Sequence, residues 1–188
     1  MSVEKKALRL EMADRRVKAH GVVDPSPALA ALIEALKGTN GPISFYWPIR
    51  SEIDPRQVMR TIAKMRTVCL PVTEGLGPLT FREWREGTMM ETDGFGVQTP
   101  DTNASEITPK VLVVPLLAFD SACHRLGYGA GHYDRTIEKL KDTAPILTFG
   151  FAYAAQKLET LLPIEPTDQP LDAIITEQGT QIPASSSV

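Results

Sequence analysis

Ile43-Ser44-Phe45-Tyr46-Trp47, a helix-patterned run over residues 55–66, and Val68-Cys69-Leu70-Pro71-Val72 together decide the fold. The two outer runs are apolar and of buried-strand length, while the inner one sets Val58, Ile62 and Met65 along one side of a helix. Strand, helix and strand in that order predict a crossover between parallel neighbours, because a strand returning in the same direction needs a connection long enough to hold a helix. The alternation continues downstream. Val111-Leu112-Val113-Val114-Pro115 and Ile146-Leu147-Thr148-Phe149-Gly150-Phe151 repeat the buried-strand signal, and after a short helix Ala173-Ile174-Ile175-Thr176 reads as the last strand. The expected fold class is therefore α/β, a Rossmann-like three-layer α/β/α arrangement around a mainly parallel (mixed) central sheet.

Outward from this frame, residues 3–20 read as a charged amphipathic helix with Leu8, Met12 and either the Arg15 stem or Val17 toward the body. Asp24-Pro25-Ser26-Pro27 breaks the chain. Ser26 can cap the helix that Pro27 opens, and Leu29, Leu32, Ile33 and Leu36 supply its apolar stripe. Residues 73–110 lose periodicity, with Leu79-Thr80-Phe81-Arg82-Glu83-Trp84 as a strand and Gly94-Phe95-Gly96-Val97 as a turn; such long excursions often carry function. Residues 1–177 are expected to form one domain. Residues 178–188 read as a polar tail, since Ala184-Ser185-Ser186-Ser187 offers little to bury.

Composition fits a globular domain: 188 residues, 43% apolar and 23% charged. A formal charge of −3 provides no overall basic field, so no nucleic-acid partner is expected, although local cationic patches can still hold phosphates. No apolar run reaches the length of a membrane span, and the charged N-terminus lacks the apolar core of a secretion signal. A cytoplasmic location without a membrane partner is the expectation. Cys69 and Cys123 lack disulfide-framework or zinc spacing. Cys123 adjoins His124, which allows a thiol nucleophile on paper, but no oxyanion feature accompanies it. His20, His124 and His132 are too scattered for a histidine metal centre.

The chemistry concentrates in Arg125-Leu126-Gly127-Tyr128-Gly129-Ala130-Gly131-His132-Tyr133-Asp134-Arg135, which follows the strand at 111–115 and leads into a helix carrying Tyr133, Ile137 and Leu140 at helical spacing. Glycines let backbone N–H groups point where a Cβ would clash, and a helix N-terminus attracts phosphate oxygens. Arg125 and Arg135 add charge, and Asp134 could hold a hard cation against that phosphate. The blander alternative is a turn that reverses the chain and caps a helix. The loop is neither a Walker loop nor GxGxxG; its glycines run GxGxG.

These residues resemble the 5-formyltetrahydrofolate cyclo-ligase (methenyltetrahydrofolate synthetase) family over nearly the whole chain. Pro115-Leu116-Leu117-Ala118-Phe119-Asp120 followed by the glycine loop is similar to that family's most specific signature. Lys5-x-x-Leu8-Arg9 looks like its N-terminal ATP contact and Tyr46-Trp47-Pro48-Ile49-Arg50-Ser51-Glu52-Ile53 like its folate segment. Leu162-Pro163-x-Glu165-Pro166-x-Asp168, with Leu171 to Thr176, looks like its closing motif. Four matches in order are a far stronger signal than one.

The resemblance implies an enzyme that uses ATP and Mg2+ to cyclise 5-formyltetrahydrofolate to 5,10-methenyltetrahydrofolate, releasing ADP and phosphate through a phosphorylated formyl intermediate. It implies ATP contacts at Lys5, Arg9, Arg125, Leu126, Gly127, Tyr128, Gly129, Ala130, Gly131, His132 and Tyr133. Folate contacts follow at Trp47 and Glu52, with Tyr128, Gly129, Ala130, Gly131 and His132 shared. Arg125, Tyr128 and His132 are the implied catalytic residues, and Asp134 and Asp168 the implied metal ligands. Phe81 and Trp84 are weaker candidates for the folate pocket, and Trp47 reads nearly as well as core. The expected partners are small-molecule folate and nucleotide, and the expected state is a monomer. The chain departs from the family at Tyr128, commonly basic, at Ala130, commonly glycine or lysine, at His132, commonly tyrosine, and at Thr99, commonly glutamate. Those departures leave open a divergent paralogue that binds nucleotide or folate without efficient catalysis, and a different small-molecule enzyme on a similar scaffold.

Overall fold

The computed structural model describes residues 3–183. In chain order its elements are α1 (Val3–Ala19), α2 (Ser26–Lys37), β1 (Ile43–Ser44), α3 (Arg56–Ala63), β2 (Val68–Val72), β3 (Thr80–Trp84), β4 (Met90–Thr92) and β5 (Gln98–Pro100). They continue with β6 (Val111–Pro115), β7 (Ala118–Phe119), β8 (Arg125–Leu126), α4 (His132–Thr143), β9 (Leu147–Phe151), a short 3₁₀ turn at Ala154–Gln156, β10 (Ala173–Thr176) and β11 (Gly179–Gln181).

Seven strands form the central sheet in the order β11-β10-β9-β6-β1-β2-β3. The five inner strands are all parallel; β3 closes one edge antiparallel to β2, and β11 closes the other antiparallel to β10. The α/β class and mainly parallel, mixed sheet expected from the alternation are therefore present. Strand period 2 sorts the side chains into two cores. Val111 and Val113 pack with Ile43, Val68 and Leu70 under α2 (Leu32, Leu36) and α3 (Val58, Met59, Ile62). Leu112 and Val114 pack with Cys69, Phe119 and Ile174 under Ile137 of α4 on the opposite face. Gly150 of β9 allows this second core to close. A Cβ there would stand 2.5 Å from Ile174 Cδ1, 2.8 Å from Leu116 Cδ2 and 2.9 Å from Leu171 Cδ1.

From β1 the chain crosses through α3 to β2 on one side, and from β6 it crosses through α4 to β9 on the other. Connections that leave adjacent strands over opposite faces open a crevice at the strands' carboxyl ends, where α/β proteins bind ligands.

Several local expectations are corrected. On α1 the buried positions are Lys5, Met12, Arg16 and Ala19, so Arg16 faces inward while Arg15 and Val17 face solvent. Ser26 is the first residue of α2 rather than its cap; Pro25 holds the cap position, and Asp24 Oδ1 accepts from Ser26 N–H at 2.9 Å. α3 ends at Ala63, which leaves Met65 72% exposed instead of on the apolar stripe. The chain after Gln178 does not leave at once as a tail: β11 pairs with β10, because Gly179 at φ +114° permits the tight reversal. The Ala184-to-Ser187 part of that expectation lies outside the described residues. Among the described residues no helix is long and apolar enough to cross a membrane.

Candidate active site

A cavity of about 720 Å3 opens at the carboxyl ends of the inner strands. Its wall takes Pro71 from β2, Pro115 from β6, the segment after β1, the glycine loop before α4, one face of α1 and the 165–168 turn. Lys5, Arg9, Trp47, Glu52, every residue from Arg125 to Asp134, and Asp168 all line it, so the fold brings the sequence-predicted residues into one chamber.

The β7–β8 hairpin aims the glycine loop at this chamber. Gly131, at φ +68°, turns the chain into α4 in a left-handed conformation that a side chain would oppose; a Cβ there would also meet Arg135 Nη1 at 2.6 Å. Arg135 Nη2 donates to Ala130 O at 2.7 Å, and Arg9 Nε donates to Gly127 O at 2.8 Å, so cations from two helices grip the loop's backbone.

Arg125 Nη1 donates to Asp134 Oδ1 at 2.9 Å, and the same oxygen accepts from Gln169 N–H at 3.0 Å. Lys5 Nζ lies 2.8 Å from Asp168 Oδ2 and 3.2 Å from Glu165 Oε1. Burial works against the Asp168 carboxylate, but hydrogen bonds from Lys5 and from Glu165 N–H outweigh it and hold the carboxyl below the usual range. Burial likewise opposes the Lys5 ammonium, and Asp168 and Glu165 more than offset it, so its pKa is raised. Both acids expected to hold a metal thus already contact a cation. Each does so through one oxygen, Oδ1 in Asp134 and Oδ2 in Asp168. Among the described residues no cluster of three or more His, Cys, Asp or Glu side chains could hold a metal alone. A cation at either carboxylate would have to take most of its ligands from phosphate oxygens and water, as Mg2+ commonly does.

Glu52, on the segment after β1, is 5% exposed. Its Oε2 accepts from Ile49 N–H at 3.0 Å, while Oε1 accepts from Tyr128 OH at 3.4 Å and stands 3.6 Å from Arg16 Nη1. Burial raises the Glu52 carboxyl above its ordinary range, against the opposing pull of Ile49 N–H and Arg16. Burial and the Glu52 charge together raise the Tyr128 phenol. Arg50, with a non-glycine φ of +54°, sets its guanidinium 5.8 Å from the Tyr128 ring centre. Trp47 is half-buried and lines the cavity, with Arg56 stacked 5.0 Å from its ring centre.

Among the described residues, buried polar atoms without a hydrogen-bond partner gather here. Arg9 Nη1, Asp93 Oδ2, His132 Nε2, Tyr133 OH and Arg135 Nε all belong to cavity-lining residues. Leaving a buried polar group unpaired costs about 1–3 kcal/mol, so such a concentration marks a surface shaped for a polar ligand. His132 Nδ1 lies 2.9 Å from Gly77 O, a contact that a proton on Nδ1 satisfies. Phe95, at the tip of the β4–β5 hairpin, meets the His132 ring edge-on at 5.9 Å.

Other sequence candidates fall elsewhere. Phe81 and Trp84 are buried in the two sheet cores, not in the cavity wall. Cys123 is buried, and burial raises its thiol pKa; its neighbour His124 places Nδ1 3.0 Å from Asp120 Oδ2, so no thiol–imidazole pair forms. Sequence reasoning missed Arg16, Arg50, Asp93 and Phe95. Of these Arg16 carried a readable signal, since it continues the spacing Lys5, Arg9, Met12 along one helix face.

Comparisons with known proteins bear on the family and the fold. The family model described as the 5-formyltetrahydrofolate cyclo-ligase family matches residues 1–177. The 5-formyltetrahydrofolate cyclo-ligase of Haemophilus influenzae is 31% identical over 179 residues, covering 90% of this chain and 88% of that protein. Its Escherichia coli K12 namesake is 29% identical over 143 residues, covering 71% and 76%. The solved 5,10-methenyltetrahydrofolate synthetase of Aquifex aeolicus superposes with a TM-score of 0.76 at 25% identity, covering 95% of this chain and 92% of that one. A Mycoplasma pneumoniae structure of the same name, at TM-score 0.73 and 23% identity, supports the fold.

Proposed function

This chain belongs to the 5-formyltetrahydrofolate cyclo-ligase family, and from that premise we propose that it converts 5-formyltetrahydrofolate to 5,10-methenyltetrahydrofolate at the expense of ATP. The observation that carries the reading is one cavity lined together by the cations Lys5, Arg9 and Arg125, the glycine loop and the buried Glu52 carboxylate.

A formamide oxygen is a poor leaving group. In the proposed reaction it attacks the γ-phosphorus, the bond to the β,γ-bridging oxygen breaks, and ADP departs. Folate nitrogen 10 then adds to the activated formyl carbon and loses its proton. The carbon–oxygen bond breaks, and phosphate leaves the methenyl bridge behind. No protein nucleophile is needed, so the chain's task is alignment and charge neutralisation. Arg9, with Nη1 unpartnered, and Arg125 supply charge-assisted donors to phosphate oxygens, Lys5 adds a third cation at the 165–168 turn, and loop N–H groups before α4 add neutral donors. Mg2+ bound through Asp134 and Asp168 would screen phosphate charge and align the transferred group. Glu52 accepts paired N–H bonds from the pterin's amidine-like edge, with Trp47 as an aromatic wall. His132 and Tyr128 line the same cavity; the Tyr128 hydroxyl is held between Arg16 and Glu52, and His132 Nε2 is left for a ligand.

The direct test follows methenyltetrahydrofolate absorbance with purified protein, 5-formyltetrahydrofolate, ATP and magnesium. Product should form only when both ATP and a divalent cation are supplied. Product at full rate without ATP, or after chelation, refutes the mechanism. Binding of both ligands without product selects the divergent paralogue instead.

A further inference from the structure

One face of α1 touches the 165–168 turn, the glycine loop and the segment after β1. Lys5 reaches the 165–168 turn, Arg9 holds the Gly127 carbonyl, and Arg16 reaches Ser51, Glu52 and Tyr128. At about 100° and 1.5 Å per residue, these three residues and Met12 fall within about 60° of arc, and Lys5 and Arg16 stand roughly 16 Å apart along the axis. Arg16 itself lies behind the wall, 2% exposed. Its Nε donates to Ser51 Oγ at 3.1 Å and its Nη2 to Tyr128 OH at 2.6 Å, while Nη1, with no hydrogen-bond partner, stands 3.6 Å from Glu52 Oε1. Its guanidinium carbon is 5.6 Å from the Tyr128 ring centre. A rigid planar fork reaches two hydrogen-bond partners and one ion-pair partner at once, which the single ammonium of lysine cannot reproduce.

Resting on the folate reading of Glu52, we infer that Arg16 is a positioning residue that fastens the Glu52–Tyr128 folate subsite to the helix carrying the nucleotide contacts Lys5 and Arg9. The two ligand sites then share one rigid rod. A ligand that fixes α1 from either end pre-orders the other end, so ATP and folate tighten each other's binding, and reciprocity requires the two enhancements to be equal.

The test is calorimetry with 5-formyltetrahydrofolate and a non-hydrolysable ATP analogue plus magnesium, each titrated alone and in the presence of the other. The chains are wild type, Arg16→Lys, Tyr128→Phe and, as a control on the outer face of α1, Arg15→Lys, whose residue pairs with Glu11. Arg16→Lys should weaken folate binding by about tenfold or more, change analogue binding alone by less than about twofold, and abolish the mutual enhancement. Should Arg16→Lys fold poorly, Tyr128→Phe carries the test, because Tyr128 is 43% exposed and its hydroxyl is one leg of the clamp. It should weaken folate by about three- to tenfold and reduce the enhancement. Unchanged folate affinity and coupling in both variants overturns the clamp. Equal weakening of both ligands taken singly overturns it too, since Arg16 would then merely hold the helix. A wild-type chain that binds no 5-formyltetrahydrofolate sinks the proposed function itself, an outcome visible before any variant is made.

Discussion

Replacing Asp134 with asparagine separates three duties open to its carboxylate: helix N-terminal charge, partner to Arg125, and ligand to magnesium. In the structure Oδ1 accepts from Arg125 Nη1 and from Gln169 N–H, and an asparagine oxygen can accept both. What is lost is charge assistance on the arginine bond, roughly 1 kcal/mol, and a favourable charge in the first turn of α4, about 0.3–1 kcal/mol. The structural cost is then roughly 1–2 kcal/mol. For 188 residues at about 2.1 cal/mol/K each, that cost lowers the melting temperature by about 3–5 °C. Turnover should respond on another scale. If Asp134 helps hold Mg2+ against the phosphates, its loss at limiting magnesium lowers turnover by about a hundredfold or more, with partial recovery at high magnesium. The assay is product absorbance against magnesium concentration, beside a thermal melt of the same preparation. A variant that melts within this window and turns over normally at limiting magnesium refutes the metal assignment and leaves Asp134 as the partner of Arg125.

Arg125→Ala should raise the ATP concentration needed for half-maximal rate roughly 10- to 150-fold, the worth of a charge-assisted contact of about 1.5–3 kcal/mol; unchanged ATP dependence in a folded variant reduces the loop to a structural turn. Gly150→Ala should cost about 1–3 kcal/mol and lower the melting temperature by about 3–8 °C, because its Cβ would collide with Ile174, Leu116 and Leu171; an unshifted melt shows that this core yields freely. The depressed Asp168 carboxyl contributes stability that is present above its unfolded pKa near ~3.9 and is lost as pH falls through its lower folded value. Wild type should therefore withstand more urea than Asp168→Asn at neutral pH, and the gap between the two midpoints should shrink steadily as pH falls below about 4. A gap that persists unchanged in acid means the contact with Lys5 is not its source.

The sheet was legible because its inner strands are buried on both faces. Val111 to Val114 in β6 and Ala173 to Thr176 in β10 are buried at every position, so they need no polar alternation and show as plain runs of buried-strand length. The edges were harder to read. β11 is three residues long with only half-buried or exposed side chains, so it carries no apolar signal, and its pairing is a backbone event that follows from the reversal at Gly179. The β4–β5 hairpin was anticipated only as a turn for a similar reason: β4 is half-buried to exposed, and Asp93 Oδ1, accepting from Phe95 and Val97 N–H, organises the tip locally.

In the site, the glycine loop and its flanking ions could be named in advance because their chemistry is local in sequence. Arg16 escapes such a reading despite its spacing, because charged side chains on a helix are assigned to solvent, and that assumption turns the helix toward Arg15 or Val17. The face α1 actually buries carries Lys5 and Arg16 beside Met12 and Ala19. Burying such cations is unfavourable unless partners meet them, and here the partners are Asp168, Glu165, Ser51, Tyr128 and Glu52, every one from a distant segment. The same geometry recasts the departure at Tyr128. Its hydroxyl accepts from Arg16 and donates toward Glu52, so a cation that the loop lacks at this position stands directly behind it on α1.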